Sequence, residues 1–199
     1  MVKIAFIPAK GKSERRPGKN FKKLAGRPLF LYSVQAARDS GIFDRIIVVS
    51  DDYWLSDISI KFGAEVIDEP ENLTHAPDIE WLQYCRKFID EMDFFAILRP
   101  TSPFRTGGTI RRAWESFSHS WSAGFTSIRA MESVSQHPGK MWLTRAHWSG
   151  IVETYPLVKQ KGRVLATYNA PTQSLPKIYV QNASLEIGRV ENLDKGSVS

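Results

Sequence analysis

The sequence predicts an α/β protein, a three-layer α/β/α sandwich with a mostly parallel sheet and a small β-hairpin extension. Short apolar runs rich in β-formers alternate with stretches of helical apolar spacing up to residue 129. That order builds a parallel sheet with helices on both faces. One run, "RIIVVS", has consecutive apolar positions instead of an in–out alternation, as a strand covered on both faces requires. After residue 140 the pattern changes to hairpin material.

Taken in order, Lys3–Pro8 ("KIAFIP") reads as a buried strand closed by proline, and a long basic loop follows it. Residues 28–40 form a helix that stops at Gly41. Residues 44–50 are the second strand. Residues 52–62 form a helix capped by Asp52 and ended by Gly63, and residues 64–67 are the third strand. Residues 69–77 make a loop, after which Asp78 caps a helix running to about Met92. Residues 94–98 are the fourth strand and lead into "RPTSPFRTGG", rich in proline and glycine. A helix from about Gly108 to Phe117, capped by Thr106 or Thr109 and with Arg111 and Arg112 on a solvated face, precedes a fifth strand at residues 124–129. Residues 142–152 and 158–167 read as hairpin strands, and residues 178–187 as a strand kinked near Asn182. The 199 residues read as one domain, with about 140–170 as an arm.

The composition is that of a soluble globular protein, 42% hydrophobic and 24% charged. The net charge of +6 suits an anionic partner without naming it: nucleotide, nucleic acid or acidic lipid. Cys85 is the one cysteine, so it can form neither an internal disulfide nor a cysteine metal site. It falls on a helical stretch as a packing residue. The histidines 75, 119, 137 and 147 show no metal-ligand spacing. No apolar segment approaches about 18 residues, and the N-terminal run is too short for a secretion signal. The expectation is a cytoplasmic protein with no membrane partner.

The loop "IPAKGKSERRPGKN" carries Lys10, Lys12, Arg15, Arg16 and Lys19. It contains Gly-Lys-Ser, yet the first glycine of a P-loop would fall on Phe6, inside the strand, so the P-loop reading fails. No G-x-G-x-x-G follows the strand either. A nucleic-acid surface would interleave stacking aromatics, and between Lys10 and Lys23 only Phe21 is aromatic, so a nucleic-acid partner is not expected. What remains is a basic loop at the carboxyl end of a strand, where open α/β sheets bind ligands, with Gly11 and Gly18 permitting close backbone approach.

That loop resembles the nucleotide-binding loop of the acylneuraminate cytidylyltransferases, the CMP-sialic acid synthetase family, whose pattern is close to I-P-A-R-x-G-S-K-R-x-P-x-K-N. "RPTSPFR" at residues 99–105 is similar to that family's second signature. "VVSD" at residues 48–51, "APDIEW" at 76–81 and "YVQNASLEI" at 179–187 extend the likeness in order along the chain. The resemblance implies a nucleotide-binding, Rossmann-like sheet and transfer of CMP from CTP to a nonulosonic, sialic-acid-like sugar acid, with Mg²⁺ as cofactor. It implies a homodimer, with the arm at the interface and Trp142 and Trp148 packed either there or in an ordinary core, and a role in surface polysaccharide such as lipopolysaccharide. By position, Ala9, Lys10, Gly11, Ser13 and Asn20 bind the nucleotide. Lys19, Arg15 and Asp51 are catalytic, with Asp51 as the metal carboxylate. Arg99, Thr101, Ser102, Gln181 and Asn182 face the sugar. Arg105 either binds the sugar carboxylate or forms a structural salt bridge.

The chain departs from the pattern at Glu14, where the family has lysine. It also reaches Ser199 before the Asp-x-[DN] pair that the family uses at its metal. The alternative expectation is therefore a shortened, catalytically weak or inactive nucleotide-binding or dimerisation module. A third departure, Asn182-Ala183, stands where the family has Asn-Gly.

Overall fold

The computed structural model describes residues 1–12, 17–73, 75–146, 152–158 and 168–198. Their contacts divide the chain into two compact units, residues 1–130 with 183–199, and residues 131–182.

In the first unit, β1 (Lys3–Pro8) is followed by a short ladder of β2 (Lys23–Leu24) with β3 (Arg27–Pro28), then α1 (Leu29–Ser40), β4 (Arg45–Ser50) and α2 (Tyr53–Lys61). Next come β5 (Glu65–Asp68), α3 (Asp78–Arg86), β6 (Phe94–Leu98) and α4 (Gly107–Trp121). β7 (Ser127–Ser133) and β10 (Tyr179–Arg189) each cross the division between units, and α5 (Val190–Asp194) closes the first unit. The large sheet has the order β5-β4-β1-β6-β10-β7. β1 pairs in parallel with both β4 and β6, β4 in parallel with β5, and β10 antiparallel with β6. The mostly parallel sheet expected from the sequence is present.

The strands bury alternate side chains in two cores. Ala5, Ile7, Val48, Ala96 and Leu98 pack with Phe30, Leu31, Val34, Leu55, Ile110 and Phe117 from α1, α2 and α4. Ile4, Phe6, Ile47, Val49, Phe95 and Ile97 pack on the other face with Trp81, Leu82 and Cys85 of α3 and Leu193 of α5. Period-two alternation within continuously apolar strands feeds both layers. Cys85 is wholly buried, and burial pushes its thiol up to about 12, so it is the inert packing residue expected.

Several boundaries differ from expectation. α3 ends at Arg86 instead of Met92. Its cap position is held by Pro77 with no side-chain cap, and Asp78 lies in the first turn, where it accepts from Trp81 Nε1 at 3.0 Å. Asp52 does cap α2 by accepting from Leu55 N at 3.0 Å, and Thr106 caps α4 by accepting from Thr109 N. The β2–β3 turn was not anticipated. It uses Ala25 and Gly26, both at positive φ (46° and 81°), and alanine is no turn signal. The strand expected at 124–129 runs over residues 127–133. The kink expected near Asn182 falls on Ala183, whose φ of 54° is one that glycine favours, as the family's Asn-Gly would supply. Arg111 is exposed as expected, but its guanidinium also donates to the Asp39 carbonyl at the end of α1 at 2.6 Å.

In the second unit β8 (Trp142–Ala146) pairs antiparallel with β9 (Val152–Pro156), so residues 142–152, expected as one strand, contribute to two. Trp142 packs on Tyr168 with ring centroids 4.8 Å apart. Trp148 and most of the second expected strand lie outside the described residues.

α1 and α4 approach closely at Gly107. A Cβ there would stand 2.6 Å from the Asp39 carbonyl carbon and 2.7 Å from the Ser40 nitrogen, both backbone. Gly107→Ala is expected to lower stability by about 1–3 kcal/mol, seen as a fall of several degrees in Tm by differential scanning calorimetry.

Candidate functional site

Because β1, β4 and β6 are parallel, their carboxyl ends share one edge of the sheet. The chain moves from β1 outward to β4 and β5, then returns to β6 on the other side of β1. The loops after β1 and β6 therefore part company, and such a switch point is where open α/β sheets take ligands.

The first turn after β1 is braced by the end of β4, by residues just after β4 and β5, and by the far end of its own loop. Ala9 N donates to Val49 O at 2.8 Å, and Ser50 Oγ donates to Ala9 O at 2.9 Å. Gly11 N donates to Asp51 Oδ1 at 2.6 Å, and Asn20 Nδ2 closes the far end of the loop onto Lys10 O at 2.7 Å. The Lys10 ammonium lies 2.9 Å from Glu69 Oε1 and donates to Leu73 O at 3.2 Å. Gly11 has no alternative, since a Cβ would sit 2.7 Å from Asp52 Cβ, which is fixed by its own capping bond. At the end of the loop Phe21 rests on Trp54 of α2 at 5.3 Å.

Within this bracing some acceptors have no donor. Asn20 Oδ1, Asp51 Oδ2 and Glu69 Oε2 are buried without a hydrogen-bond partner among the described residues. An orphaned buried acceptor is costly, and it marks a place for an ion, a water or a ligand-borne donor. Burial pushes the Glu69 carboxyl above its ordinary value. The Lys10 ammonium works against that rise, and the Asp51 charge adds to it.

The loop after β6 is organised by its two arginines. Arg99 forks onto the Asp78 carboxylate and approaches Glu186 Oε1 of β10 at 3.4 Å, and Glu186 is also approached by Arg129 at 3.4 Å. Burial works to lower the Arg99 pKa, but Asp78 and Glu186 outweigh it and hold the group above its usual value. Arg105 is 6% exposed. Its Nη2 donates to Ser33 Oγ of α1 at 2.7 Å, and its Nη1 reaches the carbonyls of Ser184 and, at 3.4 Å, Arg99. No carboxylate pairs with it among these contacts, and burial pushes its pKa down to about 10. Of the two roles expected for Arg105 the structure displays neither a salt bridge nor an open ligand-facing guanidinium, but a brace made of neutral acceptors. Thr101 is exposed and Ser102 half-buried in the turn between the two arginines, where Ser102 N donates to Arg99 O at 3.3 Å.

The structure thus brings together Ala9, Lys10, Gly11, Asn20 and Asp51 at one edge, with Lys19 in the turn that ends the loop. It groups Arg99, Thr101, Ser102 and Arg105 after β6. Gln181 and Asn182 lie on the part of β10 that belongs to the second unit, where Asn182 Nδ2 approaches Glu132 at 3.5 Å. Ser13 and Arg15, and Glu14 with them, lie outside the described residues. Ser50 falls in the "VVSD" stretch that carries the resemblance, whereas Glu69, Ser33 and Glu186 were not anticipated. A polar residue at the end of an apolar strand, as in "VIDE", is the signal that could have found Glu69.

For a divalent cation, Asp51 has the right chemistry. One carboxylate oxygen is held by Gly11 N, and the other is buried and uncommitted. No group of three or more His, Cys, Asp or Glu suited to a metal occurs among the described residues. The donor set is thus one carboxylate, which fits Mg²⁺ held mainly by phosphate oxygens and water. No helix among the described residues is long and apolar enough to cross a membrane.

This sheet and its braced loop define an α/β protein of the nucleotidyltransferase fold. A solved CMP:2-keto-3-deoxy-manno-octonic acid synthetase complexed with CTP superimposes with a TM-score of 0.70 at 14% identity, over 98% of this chain and 77% of that one. The model of the cytidylyltransferase family matches residues 4–77. It is 37% identical over 120 residues to the CMP-N,N'-diacetyllegionaminic acid synthase of Legionella pneumophila, covering 56% of this chain and 51% of that protein. It is 35% identical over 112 residues to an Escherichia coli N-acylneuraminate cytidylyltransferase, covering 55% and 27%. To a Campylobacter jejuni pseudaminic acid cytidylyltransferase it is 33% identical over 127 residues, covering 59% and 53%. The chain therefore spans about half, or less, of the length of these relatives.

Truncating Arg105 strips a donor from Ser33 Oγ and from the Ser184 and Arg99 carbonyls. Arg105→Ala is expected to lower stability by about 2–4 kcal/mol, read as a lower urea midpoint at unchanged m-value.

Proposed function

We propose that the protein transfers CMP from CTP to a nonulosonic, sialic-acid-like sugar acid and releases pyrophosphate. The observation that carries this reading is the loop after β1. Its backbone is braced by Asp51, Ser50 and Asn20 at the switch point of the sheet, and an uncommitted buried oxygen of Asp51 lies beside it. The relatives that match are synthases and cytidylyltransferases acting on sugar acids, which favours catalysis over a non-catalytic module.

The chemistry asks little of a protein nucleophile. The acceptor's anomeric hydroxyl attacks the α-phosphorus of CTP, an O–P bond forms, the bond to the β-phosphate oxygen breaks, and the hydroxyl proton passes to solvent. Positioning and charge stabilisation supply the catalysis. In this reading Lys10, Gly11, Ser13, Arg15 and Lys19 form the phosphate-facing loop, with Ala9 and Asn20 on its nucleoside side. Arg99, Thr101 and Ser102 define the acceptor side. Asp51 would hold Mg²⁺, which when bound offsets charge on the phosphates. The reading includes a homodimer in the cytoplasm that supplies activated sugar for surface polysaccharide such as lipopolysaccharide.

The test is pyrophosphate release from CTP and Mg²⁺ with a panel of nine-carbon sugar acids and an eight-carbon octulosonate. ATP, GTP and UTP serve as controls. Release with CTP and one nine-carbon acid is expected, and CTP turnover with none of them rejects the proposal. Asp51→Asn keeps an acceptor for Gly11 N but removes the charge. It is expected to lower kcat by about a hundredfold or more, with Tm within a few degrees of wild type.

A further inference from the structure

Among the described residues, Lys10 and Glu69 form a buried ion pair at this edge whose purpose the loop's sequence does not explain. The two residues follow β1 and β5, which are not neighbours, because β4 lies between them. The Lys10 side chain spans the end of β4 to reach Glu69 Oε1 at 2.9 Å and the Leu73 carbonyl at 3.2 Å. The Glu69 side chain is 1% exposed and that of Lys10 only 21%. The backbone of Glu69 is fixed too, its N–H donating to Ser50 O at 2.8 Å, while Ser50 Oγ holds Ala9 O. A lysine held this way is not a flexible charge waiting in solvent. It is a strut whose far end is set in the protein.

We propose that Glu69 is a positioning residue for the nucleotide: its buried carboxylate anchors Lys10 and so holds residues 9–11 in the shape that receives the triphosphate. The proposal rests on the reading of the loop as a CTP site. Residue 9 is held by Ser50, residue 11 by Asp51 and the Lys10 carbonyl by Asn20, so the Lys10 side chain supplies the remaining restraint. A carboxylate in this place would repel phosphate if it faced the ligand. Buried and paired with Lys10, it presents the loop with a neutral ion pair, and its cost is offset only while the lysine stays. Pre-organising a loop raises affinity by removing the cost of ordering it at the moment of binding.

The experiment measures CTP binding by calorimetry, independently of turnover, for wild type, Glu69→Gln, Glu69→Asp, Lys10→Met and the double variant Lys10→Met/Glu69→Gln. Glu65→Gln, which loosens the surface pair with Arg45 on the same β5 strand, is the control. Glu69→Gln and Glu69→Asp are expected to raise the CTP Kd about tenfold. The double variant should bind no more weakly than Lys10→Met alone, because both changes remove one device. Glu65→Gln should keep the wild-type Kd. Wild-type affinity in either folded Glu69 variant overturns the proposal, and so does an additive double variant. If neither Glu69 variant folds, the pair serves stability alone, which also overturns it. Absence of CTP binding by the wild-type protein would instead reject the CTP site itself, whereas CTP binding without pyrophosphate release leaves the role of Glu69 standing.

Discussion

A loop that is to hold a polyanion must show its backbone N–H groups and cations outward, yet must not collapse onto the sheet beneath it. Here that constraint is met by tying the turn after β1 to its neighbours through polar side chains at the ends of β4 and β5. Ser50 and Asp51 hold Ala9 and Gly11. Hydrogen bonds at a strand end are fixed by the sheet's own ladder, so each side chain that leaves the last residues of β4 inherits the precision of the parallel pairing below. Gly11 is the point where the loop comes closest to Asp52, and the absence of a side chain there lets the two segments meet.

The opposite side of the switch point depends on buried charge. Glu186 sits 4% exposed by its side chain between Arg99 and Arg129, and Arg99 is also forked onto Asp78 at the start of α3. This network explains why Asp78 is not a helix cap. Its carboxylate is already committed to a guanidinium and to the Trp81 indole, and the cap position before α3 is taken by Pro77. Arg105 works differently. It has carbonyls and a hydroxyl around it, so it can join α1, the loop after β6 and β10 without a second buried charge, at the expense of a depressed pKa. The arginines of residues 99–105 thus serve as structural ties, while Thr101 and Phe104 between them are exposed.

The continuously apolar strands carry the fold with little ambiguity, because a sheet buried on both faces needs nothing more specific than alternating contacts to two helical layers. What they leave open is which helix goes where and where each helix stops. α3 ends early because residues 87–93 turn back towards β6, and nothing in their apolar spacing announces that turn. Ala25 adopts positive φ in a place where glycine is the usual turn signal, so the β2–β3 turn was hidden, whereas the kink of β10 at Ala183 was legible beside Asn182.

By itself the sequence determined the alternation of strands and helices, the basic loop after the first strand, the caps at Asp52 and Thr106, and the motifs that lead to the cytidylyltransferase family. All of these are written in short stretches, where period, capping residue and motif spacing are local properties. Only the tertiary structure decided how the polar residues pair. Gly11 meets Asp51 across 40 positions, Lys10 meets Leu73 across 63, and Arg105 meets Ser184 across 79. Such partners are chosen by the order of strands in the sheet and by the low dielectric of the interior, which forces every buried charge to find one. No local pattern in the chain records either condition.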